Sequence, residues 1–393
     1  MNFPVIGVVG GGQLARMMAP EATNLGLRLH VLAEADDVSA VAAVAHAPVG
    51  DYHDLEALRQ FAADVDVLTF DHEHVPNEHL QALIDEGVNV QPRPGALIHA
   101  QDKLVMRAAI ERLGLPNPAW AEVTSVDELI SFGDATGWPV VLKTPRGGYD
   151  GKGVRMLADT EAARSCADWF SAGSSLLAEE KVDFSRELSA LVARTPSGES
   201  RAWPVVHTIQ VDGVCDEVIA PAPGLDPAAA QAARDAALHI AEEFGVTGVM
   251  AAELFETPGR GPGFVINELA MRPHNTGHWT MNGSVTSQFE QHLRAVLDLP
   301  LGDTAPLGEV TVMKNFLGGA NNDLYSAFPA ALAAEPRAKV HAYGKSVRPG
   351  RKIGHINVVG TPGQDVDAVR QSATQAATII RDGAVPGAAH KGA

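Results

Sequence analysis

A glycine turn near the N-terminus most strongly constrains how this chain folds. The stretch VIGVVGGGQLARMM, residues 5–18, contains a buried-strand pattern, three consecutive glycines and the start of a helix. The motif Gly10-x-Gly12-x-x-Ala15 matches the dinucleotide-binding fingerprint with alanine in its last position. Glu34 follows a second apolar strand, where such folds place an acid for a ribose hydroxyl. The turn therefore predicts a parallel strand–helix–strand unit and leaves an NAD-binding dehydrogenase open as one function.

Composition favours a soluble globular protein of two or three domains. The chain has 393 residues, of which 46% are hydrophobic and 20% charged. It contains no apolar run of about 18 residues and no basic cleavable leader, so we expect no membrane contact and a cytoplasmic location. Cys166 and Cys215 form neither a CxxC motif nor a disulfide framework. The net charge of −18 argues against a nucleic-acid partner.

Hydrophobic periodicity changes along the chain. Residues 1–97 alternate strands and helices, a doubly wound pattern whose last strand is predicted at 88–92. A single helix is predicted over 96–114, ending at a glycine with a proline just beyond. Residues 187–270 show antiparallel strand patterns, interrupted by one long helix at 226–245. The sequence therefore predicts a parallel unit followed by a mainly antiparallel one.

A glycine-rich loop follows a predicted strand within residues 138–154. The strand ends at Lys143, and the loop RGGYDGKG leads to Lys152. Glycines let backbone amides close around an anion, although the Walker motif is absent. Two interpretations stay open from these residues alone: a cover over phosphates, or an ordinary glycine-rich hairpin with exposed lysines.

Acidic residues occur in two apolar strands that flank one turn, within residues 248–279. Glu253 lies in the first strand, and Asn267 and Glu268 end the second. Antiparallel pairing can bring the two carboxylates together, and a carboxylate within an apolar strand is costly unless it is paired or binds a metal. Carboxylate and amide oxygens suit Mg²⁺. We favour this site over the alternative that each carboxylate faces solvent.

Cationic and amide side chains follow directly, and they suit an anionic substrate. These residues are Arg272, His274, Asn275 and His278. The two histidines are four residues apart, but the glutamate of the HExxH zinc motif is absent. The acids and histidines of residues 69–79 also match no familiar zinc site. They are better explained as a ligand-binding loop at the carboxyl end of a strand.

A basic segment, YGKSVRPGRKIGH, occupies residues 343–355 of this acidic chain. Lys345, Arg348, Arg351 and Lys352 flank a Pro-Gly turn, so their charges can converge on one point. Converging cations suit a phosphate monoester. The alternative is a solvated basic loop.

These residues together resemble the ATP-grasp superfamily in order and spacing, and four stretches resemble its N5-carboxyaminoimidazole ribonucleotide synthetase family. The stretches are GGGQLARMM (10–18), GGYDGKG (147–153), NELAMRPHNTGHWT (267–280) and RPGRKIGHIN (348–357). Two positions depart from the family pattern, since Asp71 stands where glutamate is common and Ala15 where glycine is common. Both departures are conservative in size or charge.

The resemblance implies an ATP-grasp architecture of α/β and α+β class. The implied domains are a Rossmann-like pre-ATP-grasp domain (1–97), a two-lobed ATP-grasp core (98–300) with a small mobile lobe at about 117–180, a small C-terminal domain (301–383) and a disordered tail (384–393). The N-terminal domain is then expected to frame a ribonucleotide substrate and to bind no NAD. ATP is expected between the two lobes of the core.

The resemblance also implies functional residues, position by position. The expected ATP-binding residues are Lys103, Lys143, Gly148, Tyr149, Asp150, Gly151, Lys152, Gly153, Val154, Glu179, Glu180, Lys181, Val182, Glu187, Gln210, Asn267 and Glu268. The expected metal ligands are Glu253 and Glu268. The expected catalytic residues are Arg272, His274, Asn275 and Tyr149, and the expected substrate-binding residues are Gln13, Glu73, Arg272, His274, Asn275, Lys345, Arg351 and Lys352.

The implied reaction is ATP-dependent carboxylation of aminoimidazole ribonucleotide with bicarbonate, through carboxyphosphate, with Mg²⁺ ions supporting phosphoryl transfer. The products are the N5-carbamate, ADP and phosphate, as in purine biosynthesis, and the enzyme is expected to be a homodimer. A glycine flap at 147–153 is expected to close over the nucleotide. The alternatives are a formate-dependent glycinamide ribonucleotide formyltransferase, an NAD-binding dehydrogenase and a non-catalytic nucleotide sensor.

Overall fold

The computed structural model describes residues 3–147, 153–170, 173 and 175–383, and it arranges their strands in three sheets. The strands are β1 (Val5–Val9), β2 (Arg28–Leu32), β3 (Val67–Phe70), β4 (Trp120–Val123), β5 (Val140–Lys143), β6 (Val154–Leu157), β7 (Leu176–Glu180), β8 (Arg186–Arg194), β9 (Ser200–Ala202), β10 (Val206–Val211), β11 (Val214–Ala220), β12 (Gly248–Glu256), β13 (Phe264–Ala270), β14 (Thr311–Leu317), β15 (Lys339–Ala342) and β16 (Lys352–Val359). The helices are α1 (Gln13–Asn24), α2 (Leu55–Ala62), α3 (Asn77–Asp85), α4 (Pro94–Gln101), α5 (Lys103–Arg112), α6 (Val126–Thr136), α7 (Thr160–Arg164), α8 (Pro227–Glu243), α9 (Thr280–Gly283), α10 (Gln288–Val296), α11 (Leu324–Ala334) and α12 (Val366–Asp382). Most of the predicted glycine flap (148–152) and the predicted tail (384–393) lie outside the described residues.

The N-terminal sheet is parallel and has the order β2-β1-β3, as the strand–helix alternation predicts. Every residue of β1 and β3 is buried, as is usual for strands covered on both faces. The glycine turn after β1 and the acidic loop after β3 both follow the carboxyl ends of parallel strands. They therefore meet at one edge of this sheet.

The strand predicted at 88–92 is wrong. Within this segment only Val90 forms a bridge, to Leu68 of β3. Pro92 has no amide hydrogen with which to continue the ladder, and Pro94 already begins α4.

The single helix predicted over 96–114 is also wrong, because Asp102 divides it into α4 and α5. The Asp102 carboxylate accepts the backbone amides of Leu104 at 3.0 Å and Val105 at 3.2 Å. Aspartate competes for local amides in this way and favours the N-cap position over a helix interior. The break makes Lys103 the first residue of α5.

The central sheet is antiparallel and runs β13-β12-β8-β10-β11-β14-β16-β15, with β9 paired to β8. The antiparallel strands expected within residues 187–270 are confirmed, as is the long helix between them, which is α8. The sheet continues from β11 into β14 with Lys314 opposite Glu217. The boundary of a C-terminal domain at residue 301 therefore stays a prediction.

The smallest sheet is antiparallel and has the order β4-β7-β5-β6. Its core contains Leu129 of α6, Val140 and Leu142 of β5, and Ala178 of β7. The sheet presents Lys143 at the end of β5 and Glu179 near the end of β7. Among the described residues, no helix combines the length and apolar character needed to cross a membrane.

Three histidines stack where α9 and the strands β15 and β16 meet. The ring centroids of His341 and His355 lie 4.5 Å apart, and those of His355 and His278 lie 5.0 Å apart. Burial lowers the pKa of His341 to about 4, and nearby Lys339 adds to this effect. Burial also lowers the pKa of His278 and of His355 well below the ordinary value, so the stack is neutral at pH 7.

We predict that this stack weakens the fold in acid. An unfolded histidine binds its proton near pH 6.5, whereas folded His341 stays neutral down to about pH 4, so stability falls as the pH drops through this range. The substitution His341→Gln keeps a side-chain hydrogen-bond donor for Oδ1 of Asn282 and removes the ionisable imidazole ring. Urea unfolding between pH 4.5 and 6.5 should show a pH slope smaller by up to about 1.4 kcal/mol per pH unit. The exposed His239→Gln is the control and should leave the slope unchanged; an unchanged slope in His341→Gln contradicts the prediction.

Candidate active site

A cavity of about 1170 Å³ lies where loops and strands of the three sheets meet. Many of the residues predicted from the sequence line it: Gln13, Glu73, Lys103, Glu187, Gln210, Glu253, Asn267, Glu268, Arg272, His274, Asn275 and Lys352. Other predicted residues that the structure describes lie outside this wall: Lys143, Gly153, Val154, Glu179, Glu180, Lys181, Val182, Lys345 and Arg351. Gly148, Tyr149, Asp150, Gly151 and Lys152 lie outside the described residues.

Two glutamates face each other on the floor of the cavity. Glu253 of β12 and Glu268 of β13 are register partners, with a bulge directly after Glu253. Burial raises the pKa of Glu253 to about 8, and repulsion from Glu268 and Glu187 adds to this rise. A cation between the two carboxylates would relieve the repulsion, so the pair has the chemistry of a divalent metal site.

Lys103 approaches the same pair from α5. Its Nζ lies 2.7 Å from Oε1 of Glu268. The N-cap at Asp102 determines this placement, because it starts a new helix at Lys103 and directs that helix past β13.

Arg272 lies beside the acidic pair and is held by the loop after β3. Its Nε donates to Oε2 of Glu73 at 2.7 Å, while Oε1 of Glu73 accepts the backbone amide of Met271 at 3.1 Å. The structure therefore joins the acidic loop of the N-terminal sheet to the cationic loop after β13.

His274 bridges toward the acidic pair as a neutral ring. Its Nε2 lies 3.2 Å from Oε1 of Glu253, and its Nδ1 lies 2.9 Å from Oγ1 of Thr276. Burial lowers the pKa of His274 well below its usual value, and the charges of Arg272 and Lys352 lower it further. The ring is therefore an uncharged hydrogen-bonding group at pH 7.

Asn275 is oriented by residues that the sequence reasoning missed. Asn315 of β14 exchanges amide hydrogen bonds with Asn275, at 2.7 and 3.3 Å, and donates to the carbonyl of Cys215 at 2.7 Å. Tyr343 also hydrogen-bonds Asn275, and its hydroxyl lies 2.8 Å from Nδ1 of His355. An asparagine in the otherwise apolar end of β14 was the available sequence signal.

On the opposite side of the acidic pair, β8 and β10 supply polar groups. Gln210 hydrogen-bonds Glu187, and burial raises the pKa of Glu187 above its ordinary value. In the small sheet, Nζ of Lys143 lies 2.6 Å from Oε2 of Glu179, which is 3% exposed. Glu180 instead pairs with Arg260 at 2.5 Å.

Arg107 of α5 contacts the remaining oxygen of Glu179 and was also missed. No local pattern distinguishes it from the exposed arginines of other helices, because its burial depends on strands distant in the sequence.

The basic C-terminal segment reaches the start of α1. Nζ of Lys345 donates to Oε1 of Gln13, and Nη1 of Arg351 donates to Oγ of Ser346 at 2.7 Å. Lys352 lies in the cavity wall. The segment thus brings cations to the side of the cavity that is lined by the N-terminal sheet and α1.

The structure explains why the dinucleotide pattern does not create a free anion site. The carboxylate of Asp71 accepts the backbone amides of Leu14 at 3.0 Å and Ala15 at 3.2 Å. It takes the place at the helix N-terminus that a diphosphate occupies in a dinucleotide-binding fold. A side chain at Gly12 would collide with this carboxylate, and Glu34 accepts the amide of Gly11 at 2.9 Å.

Comparison with protein-family models divides the chain into three matched regions. Residues 3–101 match the ribonucleotide synthetase preATP-grasp domain, and residues 108–289 match the ATP-grasp domain. Residues 311–370 match the phosphoribosylaminoimidazole carboxylase C-terminal domain.

Curated relatives and solved structures agree with these matches. The N5-carboxyaminoimidazole ribonucleotide synthase of Corynebacterium ammoniagenes is 51% identical over 384 residues, covering 96% of this chain and 92% of the relative. The synthase of Mycobacterium tuberculosis H37Rv is 52% identical over 362 residues, covering 91% of this chain and 84% of the relative. The crystal structure of the synthetase from Thermus thermophilus superposes with a TM-score of 0.85 at 35% identity, covering 97% and 99%. The structure of the enzyme from Aspergillus clavatus in complex with ADP and 5-aminoimidazole ribonucleotide gives a TM-score of 0.85 at 29% identity. The match covers 96% of this chain and 99% of that one.

We predict that the chain binds no NADH at its glycine turn. Asp71 already satisfies amides that a diphosphate needs, and a second anion there would meet its charge. A fluorescence titration with NADH should show no saturable change, whereas ATP should bind. Saturable NADH binding that ATP fails to displace contradicts the prediction and favours a dehydrogenase.

Proposed function

The chain belongs to the N5-carboxyaminoimidazole ribonucleotide synthase family of ATP-grasp ligases, and from this premise we propose how its cleft performs the reaction. ATP and bicarbonate carboxylate the exocyclic amine of 5-aminoimidazole ribonucleotide, giving ADP and phosphate. One observation carries the proposal: the cavity brings the acidic pair and Lys103 together with Arg272 and His274. A phosphoryl-transfer site thereby adjoins groups suited to an anionic substrate.

The nucleotide lies between the small sheet and the central sheet. Lys103 and Lys143 contact its phosphates, and Glu187 with Gln210 contacts the ribose. The backbone of segment 179–182 contacts adenine, because the Glu179 side chain is held between Arg107 and Lys143. Support comes from two contacts: Lys103 lies 2.7 Å from Glu268 of the central sheet, and Arg107 joins Glu179 of the small sheet to the carbonyl of Asn267.

Glu253 and Glu268 would hold Mg²⁺, with Asn267 beside them. The donors fit this ion, since a partly buried carboxylate whose pKa is raised by burial and then by its neighbour gains from a hard cation. Among the described residues no group of three or more acidic, histidine or cysteine side chains forms a metal cage. Mg²⁺ suits such a site because it commonly takes one or two carboxylates and completes its shell with phosphates and water. When bound, it neutralises charge on the phosphates during transfer.

The first chemical step is phosphoryl transfer from ATP to bicarbonate, which forms carboxyphosphate. Bicarbonate is a poor electrophile because its negative charge is delocalised over the carboxyl group, and phosphorylation gives it a good leaving group. Such a transfer needs mainly positioning and charge neutralisation. Lys103 and Lys143 supply both from two different parts of the fold, α5 and the small sheet.

The second step is attack by the exocyclic amine on carboxyphosphate or the CO₂ that it releases. Arg272 binds the anionic intermediate, and Glu73 fixes the guanidinium in place. Neutral His274 and Asn275 orient the reactants without adding charge. The walls of the cavity limit hydrolysis of the intermediate by keeping water away.

The 5′-phosphate of the ribonucleotide lies at the edge formed by the N-terminal sheet. Gln13, Lys345, Arg351 and Lys352 bind it there, away from ATP. Support comes from the contact between Lys345 and Gln13 and from the position of Lys352 in the cavity wall. The family resemblance further implies a homodimer and a cytoplasmic location.

We predict that ADP release requires aminoimidazole ribonucleotide and bicarbonate together. Each should be omitted in turn in a coupled assay, and formate with glycinamide ribonucleotide should replace both in a separate arm. ADP release supported by formate favours the formyltransferase. Nucleotide binding without turnover in every mixture favours a sensor.

The same assay tests the metal assignment through Glu268→Gln. This change removes a hard anionic ligand but preserves size, so turnover should be abolished and excess Mg²⁺ should not restore it. The exposed Glu242→Gln is the matched control and should retain full turnover. A near-normal kcat in Glu268→Gln removes the metal assignment.

We predict that Lys345→Ala and Arg351→Ala mainly weaken use of the ribonucleotide. Losing one charge-assisted phosphate contact should lower kcat/KM for the ribonucleotide by roughly ten- to a hundredfold, with little change in KM for ATP. Steady-state kinetics with each substrate varied separately measure both. Exposed Arg348→Ala in the same segment is the control. An equal effect in Arg348→Ala shows that the loss is not specific to Lys345 and Arg351, and no effect in those two shows that the segment is only a solvated basic loop.

A further inference from the structure

Arg107 is a buried cation whose hydrogen bonds reach the small sheet, β13 and the segment that follows α5. It is 1% exposed. Its Nε donates to Oε1 of Glu179, and its Nη2 donates to the carbonyl of Asn267 at 2.7 Å. Its Nη1 donates to the carbonyl of Ile266 at 2.8 Å and to Oδ1 of Asn117 at 3.1 Å. One side chain therefore joins α5, the small sheet and β13.

Glu179 lies between two cations. Its second oxygen, Oε2, is 2.6 Å from Nζ of Lys143. Burial alone would raise the pKa of Glu179, but Arg107 and Lys143 outweigh burial and hold the pKa below its ordinary value. The carboxylate is therefore ionised at neutral pH, and the three groups together carry one net positive charge.

We propose that Arg107 is a positioning residue for ATP: it neutralises Glu179 so that the charge of Lys143 stays available to the phosphates. The inference rests on the proposed function, in which Lys143 contacts phosphate.

The electrostatics of the triad give the reason. Without Arg107, Glu179 and Lys143 form a neutral pair in a buried setting, where opposite charges attract strongly. The lysine then loses its net attraction for an anion. The carbonyls of Ile266 and Asn267 also lose their donors, and this loss lowers the stability of the fold rather than the affinity for ATP. The loss of charge reaches the nucleotide side of the cleft and leaves the ribonucleotide phosphate site untouched.

Arg107→Gln tests the charge. We expect KM for ATP to rise by about ten- to a hundredfold, while KM for aminoimidazole ribonucleotide changes little. Adding Glu179→Gln removes the charge that Arg107 neutralised, so the double variant should recover much of the lost ATP affinity. A purely structural role predicts no recovery, because the double variant loses one more buried contact.

Arg107→Lys separates the charge from the hydrogen-bonding fork. Lysine keeps the positive charge but cannot donate to both carbonyls. KM for ATP should stay close to that of the unmodified protein, even if Arg107→Gln fails to fold. A tenfold or larger rise in Arg107→Lys, or no recovery in the double variant, overturns the inference.

Two further variants distinguish failure of this inference from failure of the proposed function. Lys143→Met should raise KM for ATP; if it does not, the assignment of Lys143 to phosphate is wrong. If Lys143→Met raises KM for ATP and Arg107→Gln does not, only the role of Arg107 is wrong.

Arg370→Gln is the matched control, because Glu217 is likewise buried between Arg370 and Lys314 but lies outside the cavity wall. It should leave KM for ATP unchanged, and a rise equal to that in Arg107→Gln also overturns the inference.

Discussion

Glu253 and Glu268 face each other across β12 and β13, and two carboxylates so close in a cleft need positive charge nearby. Lys103 supplies part of it at 2.7 Å from Glu268. Arg272, in the loop after β13, adds positive charge beside Glu253, and in the proposed function a metal would supply the rest. Several features of the chain serve this requirement, including the helix break at Asp102 and the attachment of the N-terminal acidic loop to Arg272. The acidic hairpin thus determines where the other elements must place their cations.

The glycine turn shows how one local pattern can serve a different purpose. The pattern correctly predicts a strand, a tight turn and a helix whose N-terminal amides face the edge of a parallel sheet. The use of those amides depends on Asp71, 57 positions from Leu14 in sequence. A carboxylate at the end of the neighbouring strand satisfies them internally, so the proposed function assigns the substrate contact to side chains such as Gln13 rather than to bare amides. Fold and ligand are therefore separable here.

Sequence patterns predicted most of the fold because apolar periodicity reports directly on burial. They failed at 96–114, where periodicity continues through Asp102 but the carboxylate caps a new helix. They also missed Arg107 and Asn315. The partner of Arg107 at Asn267 lies 160 positions away, and that of Asn315 at Asn275 lies 40 away. A buried polar residue is stable only with its tertiary partners, which periodicity does not identify.

The cleft is assembled from elements that hydrophobic packing alone would leave adjustable. One core cluster joins Leu80 and Leu97 of the N-terminal half to Ile266 of β13, but apolar contacts tolerate small shifts. Directional bonds across the sheets remove that freedom. Arg107 ties the small sheet to β13, Glu73 ties the N-terminal loop to Arg272, and Lys345 ties the C-terminal segment to α1. Phosphoryl transfer depends on placement to a fraction of an ångström, so these bonds matter more for catalysis than their modest net stability suggests.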